Sequence, residues 1–378
     1  MLPHVMVAPH RYVQGEGVLR DAGTYVSMLG DRALVLADPI VLQLVGEYFT
    51  RSLVEKDIEP TISEFKGECS ESEINRLVSV AREARSNVVV GIGGGKALDT
   101  AKAVGFYLNI PEVIVPTIAS SDAPCSAASI LYSNEGAFDK ILFYKKSPEM
   151  VLVDTRVIAN APSRFLVAGM GDALATKFEA EACLQANARN TPGGLALSAA
   201  IALADLCFKN VIQFGIEAKL AVDHKLVTPA VERVVEANIL LSGLGFESGG
   251  LAAAHSIHNG LTTLPQTHCF LHGEKVAFAT IAQLIMEGRP LELIGRIIYF
   301  CSSVGLPTTL ADIGLANVTE DELNMVAKAA CAPGESIHNM PFPVDPGAVK
   351  NALYAVDVYS GLCKSHDYAE VEMDCGSW

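Results

Sequence analysis

Charge is scarce in this sequence: only 19% of the residues are Asp, Glu, Lys or Arg, and the acidic ones outnumber the basic ones 43 to 28. The Lys and Arg residues are scattered. That excludes a nucleic-acid face, which needs clustered cations to release condensed counterions, and the formal net charge of −15 is read as solubility. Cys-x-x-Cys pairs are also lacking. The nine cysteines are odd in number and unclustered, and Cys183, Cys207 and Cys301 have apolar neighbours. They read as reduced thiols, which argues against a disulfide frame and against a cysteine-ligated metal. Cys125 has no basic neighbour to lower its pKa and reads as incidental. Long apolar runs are missing too. Residues 195–204 are interrupted by Ser198 and end at Asp205, far short of the roughly 18–20 residues that span a bilayer. The opening MLPHVMVAP has neither a basic n-region nor a long apolar h-region, so the expectation is a soluble cytoplasmic protein. There is no internal repeat and no low-complexity linker, and the acidic stretch 367–378 carries no functional reading.

What is present is apolar material in quantity. Half of the 378 residues are hydrophobic, enough for a large core and too many for one ordinary domain. Up to residue 162, β-branched runs at 33–37, 61–65, 87–92, 113–115, 129–132, 140–144 and 151–153 alternate with amphipathic segments. In the segment 70–84, Ile74, Leu77, Val78 and Ala81 recur at helical spacing. This alternation predicts a mostly parallel sheet covered by helices, with a tight hairpin at Asn134-Glu135-Gly136 added to that sheet. After Pro162 the segments 163–185, 194–214, 229–244, 251–261, 276–287, 290–304, 320–330 and 345–364 read as helices. The expected fold class is therefore α/β plus all-α: an α/β nucleotide-binding domain over 1–162 and an all-helical, metal-binding domain over 163–378.

The strongest local motif runs from Val88 through Gly91-Ile92-Gly93-Gly94-Gly95-Lys96 to Lys102, a buried strand entering glycines and then a helix that begins near Lys96. Glycines admit close backbone approach, and a helix start offers unpaired N–H groups that suit a pyrophosphate. The spacing is neither Gly-x-Gly-x-x-Gly nor a P-loop. Asp38 closes the strand 32–38 at its carboxyl end, where α/β sheets bind ligands. A carboxylate there would accept ribose hydroxyls and repel a 2′-phosphate, favouring NAD over NADP; the competing reading is a helix cap before Pro39.

The helical half offers a second constellation. Asp172 follows glycines at what reads as a helix start, His255 and His258 lie in an apolar helix, and His272 stands at the mouth of the next. One Asp and two His leave coordination positions open, as a catalytic zinc requires and as a non-haem Fe(II) site also does. The spacing of Asp172, His255 and His272 matches no short metal motif. His258 and His268 read as hydrogen-bonded core histidines.

Taken together, GECS at 67–70, GIGGGK at 91–96, PTIASSDAPCS at 116–126, GDALAT at 171–176, GFESGGLAAAH at 245–255, HGEKVA at 272–277 and IHNMP at 337–341 resemble the glycerol dehydrogenases. These belong to the iron-containing alcohol dehydrogenase and dehydroquinate synthase-like superfamily, and the resemblance covers nearly the whole chain. It implies Asp172, His255 and His272 as metal ligands and Asp122 as the residue holding a substrate hydroxyl, completing the catalytic set. It implies Asp38, Gly94, Gly95, Lys96, Ala97, Leu98 and Asp99 as part of the NAD site, together with Thr117, Ile118, Ala119, Ser120, Ser126, Ala128 and Tyr132. It also implies a homo-oligomer, commonly an octamer, with the active site in an interdomain cleft. The implied reaction is reversible, zinc-assisted hydride transfer between NAD and the secondary carbon of glycerol or a related 1,2-diol. Ala97 stands where relatives often carry Thr, and Ala128 where Leu is usual. Thr176 occupies the place of a fourth, histidine ligand of the iron-type members, which favours zinc. Phosphorylated or carboxylated substrates would need several Lys or Arg, and near His255 and His272 the sequence offers only Lys275. A metal-free structural protein would have lost a ligand, and all three are present.

Overall fold

The computed structural model describes residues 2–365; the acidic stretch 367–378 lies outside the described residues. In chain order the first elements are β1 (Arg11–Gly15), α1 (Ala22–Val26), β2 (Arg32–Ala37), α2 (Pro39–Val54), β3 (Glu59–Glu64), α3 (Glu71–Glu83), β4 (Val88–Gly93) and α4 (Gly95–Leu108). Then come β5 (Glu112–Pro116), β6 (Ala128–Tyr132), β7 (Phe138–Phe143), β8 (Met150–Asp154) and α5 (Thr155–Asn160). The rest is helical: α6 (Ser163–Ala186), α7 (Ser198–Asp223), α8 (Pro229–Glu236), α9 (Ser242–Gly249), α10 (Ala253–Leu261), α11 (His272–Met286), α12 (Leu291–Val304), α13 (Glu320–Ala330) and α14 (Pro346–Ser365).

The chain divides into two compact units. The first, residues 7–162 with 221–243, is built on a six-stranded sheet of order β1-β8-β5-β4-β2-β3 in which every pairing is parallel. The centre is β-branched and buried on both faces: every residue of β4, β5 and β8 is buried, as parallel sheets require. Strand β1 escaped the sequence reading because its RYVQG is polar and half exposed, the texture of an edge strand. The hairpin forms, but as a separate antiparallel pair β6–β7 and not as part of the main sheet. Both neighbours of β5 are already taken by β4 and β8, and the hairpin hangs instead from α4, where Asp99 accepts from Ile130 N at 2.9 Å and from Ser129 Oγ at 2.9 Å.

Residues 221–243 belong with this sheet although they follow Pro162. Helix α8 buries Val231, Val234 and Val235, and its Glu232 accepts from Gln14 Nε2 at 2.7 Å and Thr155 Oγ1 at 2.6 Å. A π-helical turn, Ala237–Leu241, follows α8 directly.

The second unit takes residues 163–220 and 244 onward, and also residues 2–6. The N-terminal residues join it by exchanging backbone hydrogen bonds with Leu195, Val5 N to Leu195 O at 3.1 Å and Leu195 N to Pro3 O at 2.9 Å. Its axis is the crossing of α6 and α11. A Cβ on Gly171 would lie 2.3 Å from Gly273 O, and one on Gly273 would lie 1.8 Å from Ala168 O, so glycine on both helices is what lets the backbones touch. The sequence places Asp172, just after Gly169 and Gly171, at an expected helix start. The structure corrects this: α6 runs unbroken through Gly169 and Gly171, and Asp172 is mid-helix.

Among the described residues one helix, α7, is long and apolar enough to cross a membrane by length and composition alone. The sequence reading ends the unbroken apolar run at Asp205 but carries the helix to 214, and the helix extends to Asp223. Asp205 is accommodated by pairing with Lys177 at 2.7 Å and Lys209 at 2.8 Å, while the buried side carries Cys207, Phe208 and Val211.

Candidate active site

The strand order places a topological switch between β2 and β4. The chain moves from β2 outward to β3, then returns to the other side of β2 for β4 and β5. Ligands of open α/β sheets bind at the carboxyl ends of strands at such a point. Predicted residue Asp38 stands there: Ala37 pairs with Ile92, so Asp38 emerges beside Gly93 of the glycine motif. A Cβ on Gly93 would lie 3.1 Å from Asp38 Oδ2 and 3.0 Å from Ala97 Cβ, and its φ of 154° suits glycine. Gly94 is the N-cap of α4 and supplies no side chain to cap it; Gly95, the first helical residue, faces open space. The N–H groups at this helix start are therefore presented to a cavity of about 230 Å³ lined by Asp38, Phe65, Gly67, Gly94, Gly95, Lys96 and Ala97. Asp38 occupies the N-cap position of α2, yet its side chain makes no capping hydrogen bond. Burial pushes its carboxyl above the ordinary value. Lys96 reaches across to Glu68 at 2.7 Å, its ammonium 4.8 Å from the Tyr132 ring centroid.

Of the remaining predicted residues of this unit, Leu98 and Asp99 lie in α4 and the others follow β5. Thr117 N donates to Gly93 O at 3.0 Å, and Ile118 Cδ1 is 3.3 Å from where a Gly94 Cβ would stand. Leu98 and Ala119 are buried, and Ser120 is half-buried. Ala119 O accepts from Asn238 Nδ2 at 3.0 Å, so the π-helical turn props this loop. Asp122 is buried and accepts from Ser242 Oγ at 2.7 Å. Its side chain makes no capping hydrogen bond to the short 3-10 turn Ala123–Cys125. Ser126 donates to Ala123 O at 3.0 Å, and Ala128 opens β6. Asp99 points away from the cradle into an ion pair with Lys102 at 2.8 Å.

In the helical unit, Asp172 of α6, His255 of α10 and His272 of α11 converge. One ligand atom from each lies within 4.8 Å of the other two. Asp172 Oδ1 is 3.5 Å from His255 Nε2 and 3.2 Å from His272 Nε2. Each ring uses its other nitrogen on a neighbour, which fixes the ring and aims Nε2 at the shared point. His255 Nδ1 meets Glu179 Oε2 at 2.5 Å, and His272 Nδ1 meets His258 Nε2 at 3.0 Å. Glu179 is fully buried, and its second oxygen accepts from Ala252 N at 2.8 Å and His255 N at 3.0 Å, at the positive end of α10. The start of α11 is pinned by Glu274, which takes a two-pronged ion pair from Arg164 and accepts from Leu271 N at 2.7 Å. The segment 337–341 packs here as well: Ile337 N donates to Ser256 Oγ at 2.7 Å and Asn339 Nδ2 to Leu251 O at 2.8 Å.

The electrostatics call for positive charge at this point. Burial raises the Asp172 carboxyl, but the His272 and His255 rings override it and hold it well below the usual carboxylate range. Burial works to lower His255, and Glu179 with Asp172 overrides it, holding the ring well above its ordinary value. His258 is pushed well down by burial and by His272. A carboxylate oxygen and two imidazole nitrogens with open positions are a donor set for a divalent cation. His268 takes no part: its Nε2 lies 3.0 Å from Thr262 O.

Comparison with known proteins agrees with this geometry. Residues 9–155 match the model of the iron-containing alcohol dehydrogenases. A glycerol dehydrogenase of Thermotoga maritima is 52% identical over 95% of this chain and 98% of its own. A glycolaldehyde reductase of Halobacterium salinarum is 48% identical over 93% and 97%. The crystal structure of the Schizosaccharomyces pombe glycerol dehydrogenase superposes with a TM-score of 0.93 at 39% identity, covering 97% of this chain and 93% of that one. The chain belongs to the glycerol dehydrogenases of the iron-containing alcohol dehydrogenase family. It is an oxidoreductase.

Within this glycerol dehydrogenase frame several residues were not legible beforehand. Glu179 stands seven residues after Asp172, two turns on along one face of α6, and that spacing was its signal. His258 was read as core and instead supports His272. Ser242 and Asn238 had no signal, because the π-helical turn that aims them has none. Lys102 sat inside a recognised motif but looked like an ordinary helix lysine.

Proposed function

We propose that this chain is an NAD-dependent polyol dehydrogenase that oxidises glycerol to dihydroxyacetone, reversibly, with a zinc ion at Asp172, His255 and His272. The observation that carries the reading is the convergence of those three donors in a chain half identical to a glycerol dehydrogenase. Three ligands, with Thr176 where a fourth would stand, favour zinc over iron. Gly94, Gly95, Lys96 and Ala97 would cradle the pyrophosphate on backbone N–H groups, and Asp38 would accept the ribose hydroxyls and repel the extra phosphate of NADP. The loop from Thr117 through Ser126, with Ala128 and Tyr132, would bound the nicotinamide end, and Asp122 would accept a hydrogen bond from a substrate hydroxyl. Glu179 Oε2, 2.5 Å from His255 Nδ1, would hold a proton there and leave the Nε2 lone pair for the cation. When bound, the cation would acidify the substrate hydroxyl and the nicotinamide would accept hydride. Around His255 and His272 the sequence offers only one lysine, Lys275, and no arginine; that supports a neutral substrate over a phosphorylated one. We further place the enzyme in the cytoplasm as a homo-oligomer, an octamer by family resemblance.

The test is a panel of glycerol, 1,2-propanediol, glycerol phosphate, dihydroxyacetone and glycolaldehyde with NAD(H), before and after chelation. The expected result is diol oxidation with NAD that chelation abolishes and zinc restores. Activity untouched by exhaustive, verified metal removal contradicts the reading.

A further inference from the structure

We propose that Lys102 is a positioning residue that holds the loop 122–128 in its binding form and acts on the nicotinamide end of the cofactor, not on its pyrophosphate end. The inference rests on the NAD reading above. Lys102 is buried, at 2% exposure, two turns into α4, the helix whose first turn forms the cradle. Its Nζ lies 2.8 Å from Asp99 Oδ1, 3.0 Å from Ala123 O, 3.2 Å from Ser126 Oγ and 3.4 Å from Ser126 O, and it also donates to Ala128 O. Three carbonyls from a six-residue stretch therefore converge on one ammonium. Such an arrangement of dipoles repels itself unless a cation sits at its centre. Asp99 balances the charge, and its other oxygen accepts from Ile130 N, so one ion pair holds both the loop and the first strand of the hairpin.

The loop begins at Asp122, which Ser242 grips from the π-helical side. A substrate hydroxyl held by Asp122 has to lie against the hydride-accepting ring. Asp38 and the α4 start serve the adenosine ribose and the pyrophosphate. The loop that Lys102 organises therefore meets the nicotinamide, while the cradle is built from backbone that Lys102 does not touch.

The experiment measures binding of NADH and of ADP-ribose, which lacks the nicotinamide, to the full-length protein and to Lys102→Met and Lys102→Arg, alongside kcat and KM for glycerol. Lys102→Met is expected to weaken NADH by about tenfold or more, to leave ADP-ribose unchanged and to raise the glycerol KM, with Lys102→Arg intermediate. NADH and ADP-ribose both unchanged, or both weakened in parallel, overturns the proposal. Should Lys102→Met fail to fold, Lys102→Arg carries the test: a changed NADH to ADP-ribose ratio supports the role, and an unchanged ratio overturns it. Wild-type protein that binds neither ligand overturns the cofactor reading and this inference with it, whereas wild-type binding with unaltered variants overturns this inference alone.

Discussion

Asp38 stands beside Gly93 with its carboxylate committed to no helix cap, so its charge is available to a ribose. Replacing it with Ser removes the acceptor and the repulsion toward a 2′-phosphate. The ratio of kcat/KM for NAD over NADP should fall by about tenfold or more, a loss of ~1.4 kcal/mol of discrimination. An unchanged ratio would remove its role. Glu112 makes a different kind of statement. Burial, opposed by Lys146, pushes its carboxyl up from 4.5 to about 7. A carboxyl with a raised folded-state pKa adds stability that is complete below pH 4.5 and is lost as pH rises through about 7. Glu112→Gln should therefore stabilise the fold at pH 8, by up to ~3 kcal/mol, and leave it nearly unchanged at pH 4.5. Thermal melts at the two pH values check this; an equal shift at both contradicts it. At this scale the sequence offers Asp172, His255, His272 and the glycines of 93–95 as candidates because the chemistry proposed for them demands particular residue types, and the structure brings the first three together. Glu179 and Lys102 were not legible, because a buried carboxylate or ammonium reads like any other until its partners are known.

The helices and strands show where pattern succeeds and where it misleads. Runs of Val and Ile gave the inner strands almost to the residue, since a strand buried on both faces leaves little choice of side chain. The edge strand β1 buries too little to leave a pattern. Gly169 and Gly171 misled in the opposite way: glycines ahead of Asp172 suggest a helix start, whereas α6 runs straight through them and Gly171 gives room to Gly273 of α11. Here two helices cross glycine on glycine, with a virtual Cβ–O distance of 1.8 Å at Gly273. Gly273→Ala should separate α6 from α11, destabilise the fold by about 3 kcal/mol or more, and weaken metal binding by displacing His272 from Asp172. Denaturant unfolding and a metal titration measure the two effects; a variant as stable and as tight-binding as wild type would mean the close approach is not required.

At the scale of the whole molecule, chemistry is divided by unit. All the residues proposed for NAD and the substrate hydroxyl belong to residues 7–162, and all three proposed metal donors belong to the helical unit. The texture change at Pro162 falls at one of the points where the chain passes from one unit to the other. The exchange of residues 2–6 and 221–243 was not legible, because it depends on pairings such as Val5 with Leu195 and Glu232 with Gln14 that join distant parts of the chain. The division makes the two functions separable by mutation. The most direct test is therefore one preparation of His255→Ala assayed for bound zinc, NADH binding and glycerol turnover. Zinc should be lost, and turnover should fall by about a thousandfold or more, while NADH binding persists. Retention of full turnover without His255 would contradict the metal-centred account.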